Sequence, residues 1–284
     1  MVLGPQALAE RDLQAVAQVS GALNAIERMD VLAAGQGGFF YPWTSTLGAD
    51  DGEEAYSRLV ERHLAPDLTV LEAGCGHGPD VLRFAPQVGR YMGYDFSEGF
   101  VRIARECAQA AGLTNVELIC SNSSANANGG RPRIPMDDAS VDMIVSRRGP
   151  TNFILDARRV VRPGGWLIQL NPAPSPRYAW DDELPEGLRA EPARDFDMAA
   201  HIGGLLAQAG LALHSAWSFD VPECFTDAAQ LYAYLAWNQF HGLGLRAQPL
   251  ESTLPALEAV MAKHAGPEGL DVRRRRYLWS AQVL

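Results

Sequence analysis

From about residue 68 onward, short apolar runs alternate with longer stretches in which apolar residues recur every three or four positions. The short runs are LTVLEAG, RYMGYDF, VELICS, VDMIVS and GWLIQLNP, and between them lie VLRFAPQV, FVRIARECAQAAG and ILDARRVVR. Short apolar runs predict buried strands, and the 3.6-residue spacing predicts helices packed on them. Strands alternating with helices predict βαβ units, a parallel sheet and right-handed crossovers, so the fold class is α/β. RYLWSAQVL at the chain end predicts a terminal strand. Upstream, Leu13, Val16, Val19, Leu23 and Ile26 predict an amphipathic helix within residues 7–28. Ala55, Leu59, Val60 and Leu64 predict another across Glu53–Leu64, after a glycine- and aromatic-rich loop, GQGGFFYPWTSTLG.

Two segments break the alternation. SNSSANANGGRPRIPMDDAS is polar and glycine-rich, which predicts a long surface loop. Residues 175–197, SPRYAWDDELPEGLRAEPARDFD, follow the strand ending near Asn171 and are placed to cover the carboxyl edge of the sheet. Ligands bind at that edge in open α/β folds. A second cover segment, about 227–262, starts with a helix from Asp227 to Trp237 and continues into an aromatic, histidine-bearing turn.

Composition narrows the function classes. A chain of 284 residues with 47% hydrophobic and 20% charged residues suits one large α/β domain with a modest cap. No apolar run approaches the roughly 18 residues of a membrane span. The beginning, MVLGPQALAERDLQ, lacks a basic segment followed by an apolar core, so no secretory signal is expected. Cys75, Cys107, Cys120 and Cys224 are scattered, which predicts neither a disulfide framework nor a zinc site and fits a reducing cytoplasm. A net charge of −10 argues against a nucleic-acid partner.

The densest chemical signal is VLEAGCGHGPD, residues 70–80. Gly74, Gly76 and Gly78 alternate directly after a strand. Such a turn lets backbone adopt left-handed conformations and lets a ligand approach the main chain. The third glycine comes one position too early for the dinucleotide fingerprint GxGxxG. Glu72, just ahead of the glycines, sits poorly with a pyrophosphate and well with a cationic or amino-bearing ligand. Asp95 ends the next apolar run, where a carboxylate suits a grip on ribose hydroxyls, and Ser97 is placed to cap the following helix.

Together these residues resemble the class I S-adenosylmethionine-dependent methyltransferases. EAGCGHG is similar to that superfamily's first motif, (D/E)xGxGxG, and YDFS to its acidic second-strand motif. DDASVDMIV resembles the fourth-strand phrase and RRVVRPGGWLIQ the fifth, so the resemblance covers about residues 66–172. It implies a doubly wound, Rossmann-like seven-stranded sheet in the order 3-2-1-4-5-7-6 with strand 7 antiparallel. LALHSAWSF would be strand 6 and RYLWSAQVL strand 7. It also implies a division into an N-terminal helical extension with its aromatic loop, residues 1–65, and a methyltransferase domain, residues 66–284. The implied cofactor is S-adenosylmethionine, leaving as S-adenosylhomocysteine. Gly74, Cys75, Gly76 and Gly78 would pass its methionine part, and Glu72 would help hold the ammonium side. Asp95 would bind the ribose and Phe96 would lie near the adenine. Asn122 or Ser123 would contact the adenine edge, and Ser146 would complete the set. His77 and Cys75 are read as positions that contribute main chain.

Substrate chemistry is less determined. Arg147 and Arg148 follow the fourth strand, where this superfamily often places substrate groups. The (D/N)PP(Y/F) motif that orients a nitrogen nucleophile is absent; Gly149-Pro150 stands there. The two arginines either grip a carboxylate or phosphate on the acceptor or pair with acidic neighbours such as Glu72 or the acidic cover. If a base is needed, His201, His241, Tyr178 and Asp181 are candidates. Phe39, Phe40, Tyr41 and Trp43 either pack the N-terminal helix onto the sheet or form a flap over the sulfonium. Arg273–Arg276 reads as a solvated lead-in to the last strand rather than a nucleic-acid patch. The expected function is in-line methyl transfer to a small, possibly anionic, molecule. The alternatives are an RNA base methyltransferase of the rRNA guanine kind, whose N-terminal zinc-ribbon cysteines are absent, and a cofactor-binding module without turnover.

Overall fold

The computed structural model describes residues 33–35, 37–41, 43–185, 188–189, 196–239 and 250–284. The helix expected within residues 7–28 and the candidate base His241 lie outside the described residues. Eight strands form one sheet: β1 Thr46–Leu47, β2 Thr69–Ala73, β3 Arg90–Asp95, β4 Val116–Cys120, β5 Val141–Arg147, β6 Val161–Ala173, β7 Ala212–Phe225 and β8 Leu270–Gln282. Their spatial order is β1-β7-β8-β6-β5-β2-β3-β4. Counted from β2 as strand 1, this is the expected 3-2-1-4-5-7-6 with one short strand, β1, added at the edge. β2, β3, β4, β5 and β6 run parallel, and β8 is antiparallel to both neighbours. The added strand was not legible because it is two residues long and pairs only with Cys224 and Glu223.

The helices packed on the sheet include α1 Glu53–Glu61, α2 Pro79–Phe84, α3 Glu98–Ala110, α4 Ile154–Val160, α5 Met198–Gln208, α6 Ala228–Gln239 and α7 Leu250–His264. The period-2 alternation of the strands divides their apolar residues between two faces. Val70, Tyr91, Met143, Val145, Ile168 and Leu278 pack with Tyr56 and Val60 of α1, Val81 of α2 and Ala104 of α3. Leu71, Tyr94, Ile144, Leu167 and Trp279 pack on the opposite side with Ile154 of α4 and Ile202 of α5. A third cluster joins the two cover segments: Trp180, Leu184 and Leu188 meet Leu231, Tyr234, Leu257 and Val260 over Phe225 and Val272.

Two boundaries differ from the sequence reading. The helix predicted to run through ILDARRVVR stops at Val160, and β6 begins at Val161. Val161 is already extended, at φ −84 and ψ 133, and Pro163 and Gly164, the latter at φ +86, fall where the pairing with β5 shifts register. The terminal strand begins at Leu270 rather than at Arg276, so the arginine run lies inside β8 and not ahead of it.

β2 and β5 are adjacent, yet the chain leaves them in opposite directions along the sheet. Their carboxyl ends therefore bound the crevice where an open α/β sheet receives ligands.

Candidate cofactor site and the cleft beside it

The loop after β2 uses its three glycines for three different reasons. All are left-handed, with φ of +77 at Gly74, +50 at Gly76 and +90 at Gly78. A Cβ on Gly74 would lie 2.8 Å from Pro150 Cδ, so Gly74 permits the loops after β2 and β5 to pack. A Cβ on Gly78 would lie 3.0 Å from Ala104 Cβ, so Gly78 permits α3 to close on α2. A Cβ on Gly76 would meet nothing within 4 Å. Only this glycine faces open space, and its amide donates to Asp95 Oδ2 at 3.0 Å.

Asp95 ties the two strand tips together. Its other oxygen accepts from the Ser97 amide at 3.0 Å, and Ser97 Oγ in turn accepts from Phe100 N at 3.2 Å, the cap of α3. These bonds orient the Asp95 carboxylate at the tip of its strand. Phe96 beside it is half-buried. Ser123 is buried and accepts from Asn152 Nδ2 at 3.4 Å. Asn122 turns its side-chain oxygen onto the Ser124 amide at 2.9 Å, a local turn within the long polar loop.

Several candidate residues prove to be supports. Ser146 has no exposed surface; it donates to Ala73 O at 2.7 Å and accepts from Gln169 Nε2 at 3.3 Å, so it braces the loop from beneath and touches no ligand space. Cys75 is buried with its thiol pushed up, first by burial and then by Glu72 and Asp95, which leaves it inert. Glu72 is also buried, accepting from Tyr91 OH at 2.9 Å. Burial and then Asp80 hold its carboxyl well above the usual range, which argues against the hold on the cofactor's ammonium side that the resemblance implied. His77 accepts the Phe39 amide at its Nδ1, 3.2 Å away, and its ring lies 4.9 Å from that of Phe40. Burial, then Arg147 and Arg148, lower its pKa and keep the imidazole neutral, as an acceptor must be.

The two arginines at the end of β5 part company. Arg147 gives one terminal nitrogen to Glu53 at 2.9 Å and the other to Asp80 at 2.8 Å. Its guanidinium is spent on protein carboxylates, so anion binding by Arg147 is corrected to a structural role; the partners are Glu53 and Asp80 rather than Glu72 or the cover. Arg148 has φ +61. It lies 3.5 Å from Glu53 and donates to Tyr41 OH at 3.3 Å, with its guanidinium 5.6 Å from the Tyr41 ring centre. It lines a cleft with Tyr41, Trp43, Tyr234, the end of β6 at Pro172 and Ala173, and the arginines of β8.

The β8 arginines are paired with carboxylates rather than free in solvent, although Arg273 and Arg275 stay partly exposed. Arg273 and Arg275 both reach Asp220, Arg274 pairs with Glu223, and Arg276, 4% exposed, pairs with Asp51 and Glu53. Antiparallel β7 supplies Asp220 and Glu223 on the facing strand, which no reading of RRRR alone could reveal. Glu223 also accepts from Trp43 Nε1 at 3.0 Å and Ser45 Oγ at 2.7 Å. The aromatic segment is thus a strap, held at Phe39 by His77 and at Trp43 by Glu223.

The other base candidates are occupied structurally. Tyr178 OH accepts from the Arg273 amide at 2.6 Å, its ring is stacked on Trp180, and burial raises its pKa. Asp181 accepts from the Tyr178 amide at 2.9 Å, capping its own turn. His201 lies 3.5 Å from Thr151 Oγ1, behind the loop that packs on Gly74.

Residues 70–165 match a family model described as a methyltransferase domain. That match spans the glycine loop, Asp95 and the β5 tip. Over those residues the chain carries a methyltransferase domain, similar to S-adenosylmethionine-dependent methyltransferases. A probable S-adenosylmethionine-dependent methyltransferase of Mycolicibacterium smegmatis is 31% identical over 42% of this chain and 43% of its own length. A demethylmenaquinone methyltransferase of Shouchella clausii is 30% identical over 36% of this chain and 44% of its own. A solved structure of a functionally unknown protein from Deinococcus radiodurans R1 has a TM-score of 0.64 and 26% identity, covering 91% of this chain and 100% of that one. The chain spans under half the length of the curated relatives it matches. Among the described residues, no helix is long and apolar enough to cross a membrane. The donor set fits the superfamily's cofactor: the space over Gly76 is what a Cβ would fill, and Asp95 stands beside it.

Proposed function

We propose that the protein transfers a methyl group from S-adenosylmethionine to a small molecule held at the carboxyl edge of the sheet. The open space over Gly76, hinged to Asp95, carries this reading. The loop main chain from Gly74 to Gly78 would line the methionine part of the cofactor, Asp95 would accept from the ribose hydroxyls, and Phe96 and Ser123 would flank the adenine. When bound, the cofactor supplies a methyl already activated on a sulfonium, so displacement needs alignment more than acid–base help. The protein's share is to position the acceptor and exclude water, and the strap from Phe39 to Trp43 is placed for both. A nucleic-acid acceptor finds less support, because the arginine run is matched by Asp220, Glu223, Asp51 and Glu53. Calorimetry with S-adenosylhomocysteine, followed by transfer of a labelled methyl group into a metabolite extract, tests the proposal. Absence of cofactor binding by the folded protein would overturn it.

A further inference from the structure

Acceptor recognition can be taken further, on the footing of the methyl-transfer reading. We propose that the cleft beside the cofactor loop binds a carboxylate or phosphate carried by the acceptor, with Arg148 and Arg274 as its guanidinium partners on either hand of the Tyr41 ring.

The first ground is the charge of the lining. Five arginines, Arg148 and Arg273–Arg276, face the cleft with Glu223 as the acidic member of the wall. Glu223 is not placed to neutralise them all. Its carboxylate, 1% exposed, already accepts from Trp43, Ser45 and the fork of Arg274. The carboxylates that serve the other arginines, Asp220, Asp51 and Glu53, do not line the cleft. The wall is therefore cationic where the counterions lie behind it.

The second ground is crowding of like charge. The guanidinium carbons of Arg148 and Arg274 stand 5.6 Å and 5.3 Å from the centre of one ring, that of Tyr41. Arg276 is close enough to both to feel their charge, although burial and its own partners Glu53 and Asp51 act on it more strongly. Two cations set around one aromatic ring, with a third lining the same cleft, repel each other, and an anion entering between them relieves that repulsion. Arg147 shows the contrasting case: it lies outside this lining and gives both terminal nitrogens to carboxylates.

The third ground is backbone strain in the right place. Arg148 is held at φ +61 by a bond from its amide to Leu170 O at 2.8 Å. A long side chain in the left-handed region is costly, and such residues cluster where a side chain must be aimed. The aim here is across the ends of β5 and β6, next to the loop on which Gly74 packs. Trp43 and Tyr234 supply the apolar part of the wall, so the acceptor would be an anion on an apolar body.

The test uses the full chain saturated with S-adenosylhomocysteine and three probes of similar size: benzoate, phenyl phosphate and neutral benzamide. Calorimetry should show one or both anions binding at least about tenfold more tightly than benzamide. Preference between the two anions assigns carboxylate or phosphate. Arg148→Gln should cost at least about tenfold in affinity for the preferred anion, Arg148→Lys an intermediate loss, with S-adenosylhomocysteine affinity held within about threefold. Should Arg148→Gln not fold, protection of Arg148 and Arg274 from phenylglyoxal by the bound anion gives the same information in the unaltered protein. Equal binding of anions and benzamide, or no protection, overturns the inference while leaving cofactor binding intact. Failure of S-adenosylhomocysteine to bind, with anions still held at Arg148, would instead remove the methyl-transfer reading.

Discussion

At the scale of single residues, the glycine loop separates ligand contact from packing. Gly76 and Gly78 both sit in the left-handed region, so any substitution carries a backbone cost of about 1–2 kcal/mol at either position. They differ in what a side chain would meet: open space at Gly76, helix α3 at Gly78. Gly76→Val is therefore expected to abolish measurable S-adenosylhomocysteine binding with a modest fall in Tm. Gly78→Ala should lower Tm more than its effect on affinity would suggest. A folded Gly76→Val protein with unchanged affinity would falsify the assignment of the loop. Asp95 makes a sharper case. Asp95→Ala should weaken the cofactor by about 1.5–3 kcal/mol, the value of hydrogen bonds to a charged acceptor. An analogue lacking the ribose hydroxyls should show much less of that loss, because what then remains is only the tie to the Gly76 and Ser97 amides. Equal losses with both ligands would reduce Asp95 to a loop brace. That Gly76 and Asp95 belong together was legible from spacing along the chain. That Ser146 and Glu72 lie beneath the loop was not, because burial depends on which face of a strand each residue takes and on what covers it.

At the scale of elements, β7 and β8 show what a one-dimensional pattern conceals. The parallel part of the sheet was readable because each strand is a short apolar run between helices. β8 carries four arginines in its first half and reads as exposed until its partner is in register. Glu223 then stands one position from the residue opposite Arg273, and Asp220 stands opposite Arg275. Their carboxylates let arginines occupy a half-buried strand. The same Glu223 anchors Trp43 and Ser45 of the strap, so one residue joins sheet and cover. Replacing it should strand Arg274, whose side chain is 16% exposed. Breaking a fully buried pair costs about 3–5 kcal/mol; partial exposure of the arginine lowers the expectation for Glu223→Gln to about 2–3 kcal/mol, read from urea denaturation. The double variant Glu223→Gln/Arg274→Met should recover part of the loss, since no unpaired charge remains. A double variant no more stable than the single one would mean that Glu223 acts through the strap instead.

At the scale of the whole molecule, the two faces of the sheet are chemically unequal. The face carrying α1, α2 and α3 encloses Glu72, Asp80, Tyr56 and Tyr91 with Arg147 at its edge. Two buried carboxyls share this pocket, and Arg147 and Tyr56 both serve Asp80. Glu72 has the weaker support, a hydroxyl from Tyr91, so the proton belongs on Glu72. Its carboxyl is raised well above the ordinary 4.5 by burial and then by Asp80. A group whose folded pKa is raised binds more protons in the folded state than in the unfolded one. Its stabilising contribution is full below about pH 4.5 and is lost as pH rises through the folded pKa. Glu53 has the opposite sign. Although burial opposes it, Arg148 and Arg276 lower its pKa, so its contribution is present above 4.5 and lost on acidification. The two act in different windows: above about pH 4.5 the Glu72 contribution falls as pH rises, and comparison with a Glu72 variant separates it from that of His63 and His77, whose pKa values burial lowers from 6.5. Glu72→Gln keeps an acceptor for Tyr91 and cannot ionise. Denaturant unfolding at pH 5, 6.5 and 8 should show wild-type stability falling relative to the variant, by at most about 1.4 kcal/mol per pH unit. The variant should compare worst at pH 5 and best at pH 8. Parallel profiles for the two proteins would mean that Glu72 is ionised throughout and that the buried pocket holds a charge its neighbours fully compensate.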